Sequence, residues 1–243
     1  MEEKTMELRD ANGNIISKEE FLEQAAAIYD EATAAQCECS KEDADYITIL
    51  QEEPVNPEEV NASSDFYQRM IYLAEEIEHD TGTAICSAIN LWNAADDFDN
   101  IPVEEREPIK LIINTPGGDL AASLAIIDAI ELSKTPVYTY TIGTGYSGGF
   151  FIGICGHKRF GYPHSSYCFH EGGASDGGDA HKLLQRIEFY KKQLGILKDI
   201  TINHTYIDDE IYKERQKDDW FMTAQEALEY GVIDEISTEL INY

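Results

Sequence analysis

From about residue 66 the apolar positions alternate between short unbroken runs and a helical spacing. "RMIYLAEEI" (69–77) reads as a strand. "TGTAICSAINLWNAADDF" (81–98) places Ala84, Ile85, Ala88, Ile89 and Trp92 at i, i+3, i+4 intervals and predicts a helix. After the polar stretch "DNIPVEEREP" comes "IKLIINT", a run apolar enough for a buried strand. The turn "PGGD" and the helical run "LAASLAIIDAIELSK" follow, then the strand "TPVYTYTIG" and the apolar helix "SGGFFIGICG". "KRFGYP" and "SSYCFHEGG" predict two short strands. "DAHKLLQRIEFYKKQLGILKDITINHT" predicts a long helix with Leu183, Leu184, Ile187, Tyr190, Leu194 and Leu197 on one face. "TAQEALEYG" closes as a short helix and "VIDEIS" as a last strand. Strands and helices alternating in this way predict an α/β architecture.

Residues 1–65 have a different character and are expected to form an acidic N-terminal extension. "EEFLEQAAAIYDEATAA" carries Phe21, Ala25, Ile28 and Ala32 at helical spacing, "ITIL" (47–50) suits a short strand, and "EEPVNPEEVNASS" suits a linker. Residues 66–243 form the second expected unit. The formal net charge is -29, which disfavours nucleic acid and anionic membrane surfaces as partners. No apolar run reaches the length of a membrane span, and "MEEKTMELRD" lacks the apolar core of a secretory signal. Cys37, Cys39, Cys86, Cys155 and Cys168 are odd in number and irregular in spacing, which suits reduced thiols in the cytoplasm. Cys37-x-Cys39 alone is a weak metal signal and no second Cys or His pair has zinc-site spacing, so neither a metal nor a cofactor is expected.

Three short motifs carry candidate chemistry. "INTPGGD" places Gly117 and Gly118 at a strand-to-helix turn, where backbone N–H groups can face an oxyanion. It lacks the Lys of a P-loop and the third Gly of a dinucleotide fingerprint. "GYSGG" places Ser147 between a strand and a helix, with the N–H of Gly148 and a helix N-terminus beside its hydroxyl. Ser147 suits a nucleophile there, and it equally suits a helix cap. "YCFHEGG" ends a strand on His170, a candidate base if a serine lies opposite.

The motifs in this order resemble the proteolytic subunit of the Clp protease, the ClpP family of serine peptidases. The resemblance rests on "RMIYLAEEI", "LIINTPGGDLAASLAIIDAI", "VYTYTIGTGYSGGFFIGICGHKRFGYPHSSYCFHEG" and "TAQEALEYGVIDEI", across about residues 66–239. It implies a ClpP/crotonase-like repeated β-β-α spiral with a projecting handle helix, here at about 179–203. It implies Ser147 as nucleophile, His170 as general base, and Gly118 and Gly148 as oxyanion-hole donors. The implied enzyme cleaves unfolded polypeptides within stacked homo-oligomeric rings, supplied by a hexameric ATP-driven unfoldase.

The chain departs from the family pattern at the third triad residue. The family has an Asp ahead of the "TAQEA" helix, where this chain reads "KERQKDDWFMTA". Matching the Glu214–Arg215 pair puts Gln216 at that place, and Asp218 and Asp219 are the other candidates. A Gln carbonyl can orient the histidine but supplies no charge to the imidazolium. "HEGGASDGG" beside the histidine is glycine-rich and acidic, which predicts a flexible loop. The extension and the long "NAADDFDNIPVEEREP" segment point to a divergent member. Other readings stay open here: a weak or inactive structural subunit, a phage head-maturation or signal-peptide-peptidase type of protease, and a crotonase-type acyl-CoA enzyme.

Overall fold

A computed structural model describes residues 68–173 and 179–241. The expected N-terminal extension, with its helix and strand, lies outside the described residues, as does most of the glycine-rich stretch after Gly173.

The sheet begins with β1 (Met70–Leu73), followed by the long helix α1 (His79–Phe98). β2 (Ile109–Thr115) and α2 (Leu120–Glu131) come next, then β3 (Val137–Tyr146) and the short α3 (Gly148–Ile154). Two short strands, β4 (Lys158–Gly161) and β5 (Ser166–Phe169), precede α4 (Ala180–His204). The chain ends through α5 (Asp209–Arg215), β6 (Trp220–Thr223), α6 (Ala224–Glu229) and β7 (Glu235–Ile236).

The strands form one sheet in the order β1-β2-β3-β4-β7, with β5 pairing β3 beyond the end of β4, and β6 pairing β5. All of these pairings are parallel except β5 with β6. The α/β expectation therefore holds. β2 sits centrally, and all its residues but Lys110 and Asn114 are buried, as a parallel strand covered on both faces must be. Ile85, Ile89 and Trp92 of α1, and Ile126, Ile127 and Ile130 of α2, fill the core beside Leu111 and Ile113.

Several elements differ from the expectations: β1 covers only Met70–Leu73 of the expected 69–77, and β3 runs on to Tyr146 beyond "TPVYTYTIG". The stretch from Asp209 to Met222, for which the sequence predicts no element, folds as α5 followed by most of β6, which takes in Thr223. Its seven-residue helix is too short for a repeating apolar stripe, and Asp208 starts it by accepting the N–H groups of Glu210 and Ile211. The last strand is also shorter than "VIDEIS", since only Glu235 and Ile236 pair with β4.

A buried charged cluster closes the far end of the sheet. Asp96, on α1, accepts two bonds from Arg69 at 2.5 and 2.8 Å and one from the Thr135 hydroxyl at 2.7 Å. Arg106 reaches Asp97 at 2.5 Å, Thr135 at 3.3 Å and the Ile101 carbonyl at 3.1 Å. Burial pushes the Asp96 carboxyl up, but the bonds and charges of Arg69, Thr135 and Arg106 outweigh it and hold the group below its ordinary value. A folded value below the unfolded one means stabilisation that is present above the unfolded value, about 3.9, and lost as pH falls through the folded value. Asp96→Ala leaves the Arg69 guanidinium without its buried partner and should cost about 3–5 kcal/mol in urea denaturation. Asp96→Asn should flatten the loss of stability below about pH 4.

Candidate active site

The site forms where the carboxyl ends of β2, β3 and β5 meet, the usual place for function in a parallel sheet. β2 runs out into the Gly-Gly turn. Its register with β3 slips between Ile113 and Thr115, and the Asn114 side chain fills the break by accepting the Thr144 N–H at 3.0 Å. The segment after β1 clamps the turn: Ile77 N–H donates to Gly117 O at 2.8 Å, and Asp119 N–H donates to Ile77 O at 2.7 Å. Asp119 then caps α2 by accepting the Ala122 N–H at 2.8 Å. Between these bonds the Gly118 N–H has no acceptor among the described residues.

Ser147 follows the last residue of β3, with its backbone held at φ 53° and ψ -119°. For a non-glycine residue this costs on the order of 1–3 kcal/mol and persists only where the surroundings enforce it. Here Ser147 N–H donates to Cys168 O at 2.9 Å, and Ser147 O accepts from Phe150 N–H at 3.0 Å. The Ser147 hydroxyl makes no capping bond, so the helix-cap alternative does not describe this side chain. Gly148 opens α3, where first-turn N–H groups have no helical partner. Its N–H also has no acceptor among the described residues.

Gly117 shows why the two turns need glycine. It sits at φ +99°, and a Cβ there would stand 2.6 Å from the Ser147 Cβ and 2.7 Å from the Tyr146 carbonyl. The turn after β2 therefore packs directly against the serine turn.

His170 follows β5. The antiparallel register pairs Phe169 with Trp220 and Cys168 with Phe221, so the next positions outward are His170 and Asp219. Asp219 Oδ1 lies 3.4 Å from His170 Nδ1. Of the three sequence candidates, the fold brings only Asp219 to the histidine. Gln216 ends α5 and donates from its side chain to Lys213 O of the same helix at 3.2 Å. Asp218 is exposed in the turn after that helix. Matching the Glu-Arg pair did not reveal this because the facing position is set by β6, a strand the sequence left unread.

Beneath the histidine lies an aromatic cluster. Phe169 packs edge-on against Tyr212 (5.2 Å between ring centres), Phe150 (5.6 Å) and Trp220 (6.2 Å), and Trp220 packs against Tyr230 at 4.7 Å. Such pairs prefer this edge-on geometry. Two tyrosines absent from the sequence expectations for the site hold the next residue: Tyr212 OH donates to Glu171 Oε1 at 3.0 Å, and Tyr190 OH donates to Glu171 O at 3.0 Å. Burial, reinforced by the Glu171 charge, raises both phenols, so they stay protonated donors. Tyr190 stood on the apolar face read for α4, but nothing in the sequence paired it with Glu171.

Gly118, Ser147, Gly148 and His170 line one cleft of about 450 Å³, with Leu120, Phe151 and Leu197 supplying apolar wall. Burial pushes the Cys168 thiol up to about 11, with the Asp219 charge adding to it, so Cys168 stays a neutral thiol.

The sequence profile described as Clp protease matches residues 58–239. The chain belongs to the Clp protease family. It is similar to the ATP-dependent Clp protease proteolytic subunit 2 of Corynebacterium diphtheriae, at 31% identity over 185 residues, 73% of this chain and 88% of that protein. The proteolytic subunit 2 of Bifidobacterium longum is 32% identical over 173 residues, covering 70% of this chain and 79% of its own. The proteolytic subunit 1 of Streptomyces avermitilis is 33% identical over 180 residues, covering 71% and 77%. In keeping with the Clp protease family, the chain has a parallel-stranded α/β sheet and one helix, α4, that stands largely clear of it: only Leu197 and Thr201 of its 25 residues are buried. Among the described residues no helix is long and apolar enough to cross a membrane.

Gly117→Ala should destabilise the fold by about 1–3 kcal/mol, through a strained φ and a clash with Ser147. Thermal unfolding monitored by circular dichroism checks this; an unchanged midpoint would contradict the packing of the two turns.

Proposed function

We propose that this chain is a serine endopeptidase that cleaves unfolded polypeptides. The observation that carries the reading is Asp219 facing His170 Nδ1, with His170 lining the same cleft as Ser147 and the open Gly118 and Gly148 N–H groups. An acid at the third position restores what Gln216 would lack, a charge for the imidazolium.

The reaction is acyl transfer. Ser147 Oγ attacks the peptide carbonyl while its proton passes to His170 Nε2. The carbonyl oxygen becomes an oxyanion and takes hydrogen bonds from the N–H groups of Gly118 and Gly148. His170 hands the proton to the leaving amine as the C–N bond breaks. Water then attacks the ester on Ser147, giving its proton to His170, and the acid product leaves with Ser147 restored. Asp219 orients Nδ1–H and stabilises the charged ring. Its separation of 3.4 Å is longer than a good hydrogen bond, as resting sites often are before substrate tightens them. The apolar wall of Leu120, Phe151 and Leu197 suits an apolar side chain beside the scissile bond, with main-chain contacts leaving selectivity loose.

The exposed part of α4 supports assembly with further copies. Leu184 and Phe189 are 60% and 61% exposed, and Ile187 and Ile196 are 43% and 48% exposed, a run of apolar surface on a projecting element. The reading places this surface between subunits of a ring-shaped chamber that takes unfolded chains from an ATP-driven unfoldase.

Ser147→Ala should abolish labelling by a fluorophosphonate probe and cleavage of an unfolded protein substrate; persisting labelling would sink the assignment. Asp219→Asn should lower kcat by about 10²–10⁴ with little change in KM, whereas Gln216→Ala should leave kcat unchanged. The reverse ranking would return the third role to Gln216. Leu184→Glu combined with Phe189→Glu should convert the assembly to a smaller species, read by light scattering after size exclusion.

A further inference from the structure

We propose that Glu131, Cys155 and His204 bind a thiophilic divalent cation, Zn²⁺ in particular, at the base of α4. One ligand atom from each of the three residues lies within 4.8 Å of the other two. His204 Nε2 and Glu131 Oε1 are 2.9 Å apart. In a tetrahedral zinc site, ligand distances of about 2.0–2.3 Å to the metal set neighbouring donors roughly 3.2–3.7 Å apart, so small side-chain shifts suffice. One sulfur, one imidazole nitrogen and one carboxylate oxygen form a donor set that suits zinc better than calcium or magnesium, and the fourth place goes to water.

Burial supports a site rather than a chance surface group. Cys155 is 4% exposed, while the side chains of Glu131 and His204 are 39% and 30% exposed, so the sulfur forms the floor and the other two form an open rim. Glu131 is the last residue of α2, and His204 is the last residue of α4. The carbonyl ends of two helices of 12 and 25 residues therefore converge there, and their partial negative charge favours a cation. The nearby cation, Arg159, is already neutralised: Asp234 accepts from its Nε at 3.0 Å and also from its Nη2. Its Nη1 donates to the His204 and Gly231 carbonyls, which fixes the backbone that carries His204.

Burial, with the Glu131 charge adding to it, raises the Cys155 thiol, while Arg159 lowers it; without a metal the group stays a thiol. On binding, the Sγ–H bond breaks, its proton leaves to solvent, and the sulfur lone pair forms the bond to the cation. The bound ion would join the end of the projecting helix to the ends of α2 and α3. Sequence spacing could not reveal such a site, because its ligands come from positions 131, 155 and 204, at the ends of two helices and just past the end of a third.

The test uses the untagged 243-residue chain carrying Cys37→Ser and Cys39→Ser, which removes the only closely spaced cysteine pair in the sequence. After chelator treatment, dialysis against Zn²⁺ should load one ion per chain, and Co²⁺ in its place should give a sulfur-to-cobalt charge-transfer band. Adding Cys155→Ser should remove that band. His204→Gln, a partly exposed change that spares the fold, should weaken Zn²⁺ binding at least about tenfold, since losing a direct ligand costs no less than losing an outer-shell partner. Cys86→Ser should change neither result. A cobalt spectrum without a thiolate band, or Zn²⁺ affinity unchanged by His204→Gln, would overturn the proposal and leave an ion pair beside a buried thiol.

Discussion

The hydrogen bond from Ser147 N–H to Cys168 O, 2.9 Å long, is the joint on which the site depends. It extends the parallel pairing of β3 and β5 by one residue past the end of the strand. By doing so it holds the serine backbone in a conformation that an L residue avoids, and it fixes the serine relative to a histidine two residues beyond Cys168. Gly117, packed on the serine Cβ, closes the other side. The strain at Ser147 is thus offset by a sheet bond, a helix start and a glycine turn acting together.

Much of this was legible in the sequence, for a physical reason. β2 reads as an apolar run because it is buried on both faces, and α1 reads as a helix because Ile85, Ala88, Ile89 and Trp92 share one buried side. The glycine pair and the serine among glycines announce turns of unusual φ. Those features are local, and locality is what a single sequence carries well. The pairing of β5 with β6 is not local. β6 is four residues long, with Phe221 exposed and Met222 buried, a pattern too short to stand out. Once that pairing exists, the register from Phe169 and Trp220 sends Asp219 to the histidine without further information. Matching the Glu214–Arg215 pair leaves Gln216, Asp218 and Asp219 as candidates because a sequence match carries no register.

The two halves of the site differ in stiffness. The half that would hold the oxyanion is built from backbone: Gly148 is buried, and the exposed Gly118 sits in a Gly-Gly turn pinned by two bonds to Ile77. The half that would move protons is built from side chains near the surface. His170 is 33% exposed and Asp219 is 66% exposed. Beyond the histidine, Glu171 is tied down by two tyrosine hydroxyls, one from α5 and one from α4.

Those two bonds set the energy scale of the softer half. A neutral hydrogen bond contributes only about 0.5–1.5 kcal/mol net, and one to a carboxylate about 1.5–3. A segment held on that scale responds to whatever moves its anchors. Tyr190 is one anchor, and it stands on α4 a single residue after the exposed Phe189. Among the described residues, the helix with the most exposed large apolar side chains is therefore hydrogen-bonded to the residue after the histidine. Burying that surface against another copy would fix α4, and through Tyr190 and Glu171 it would restrict the segment that carries His170. The backbone half needs no such help, so the cost of ordering the site falls on the part that burial of this helix face would reach.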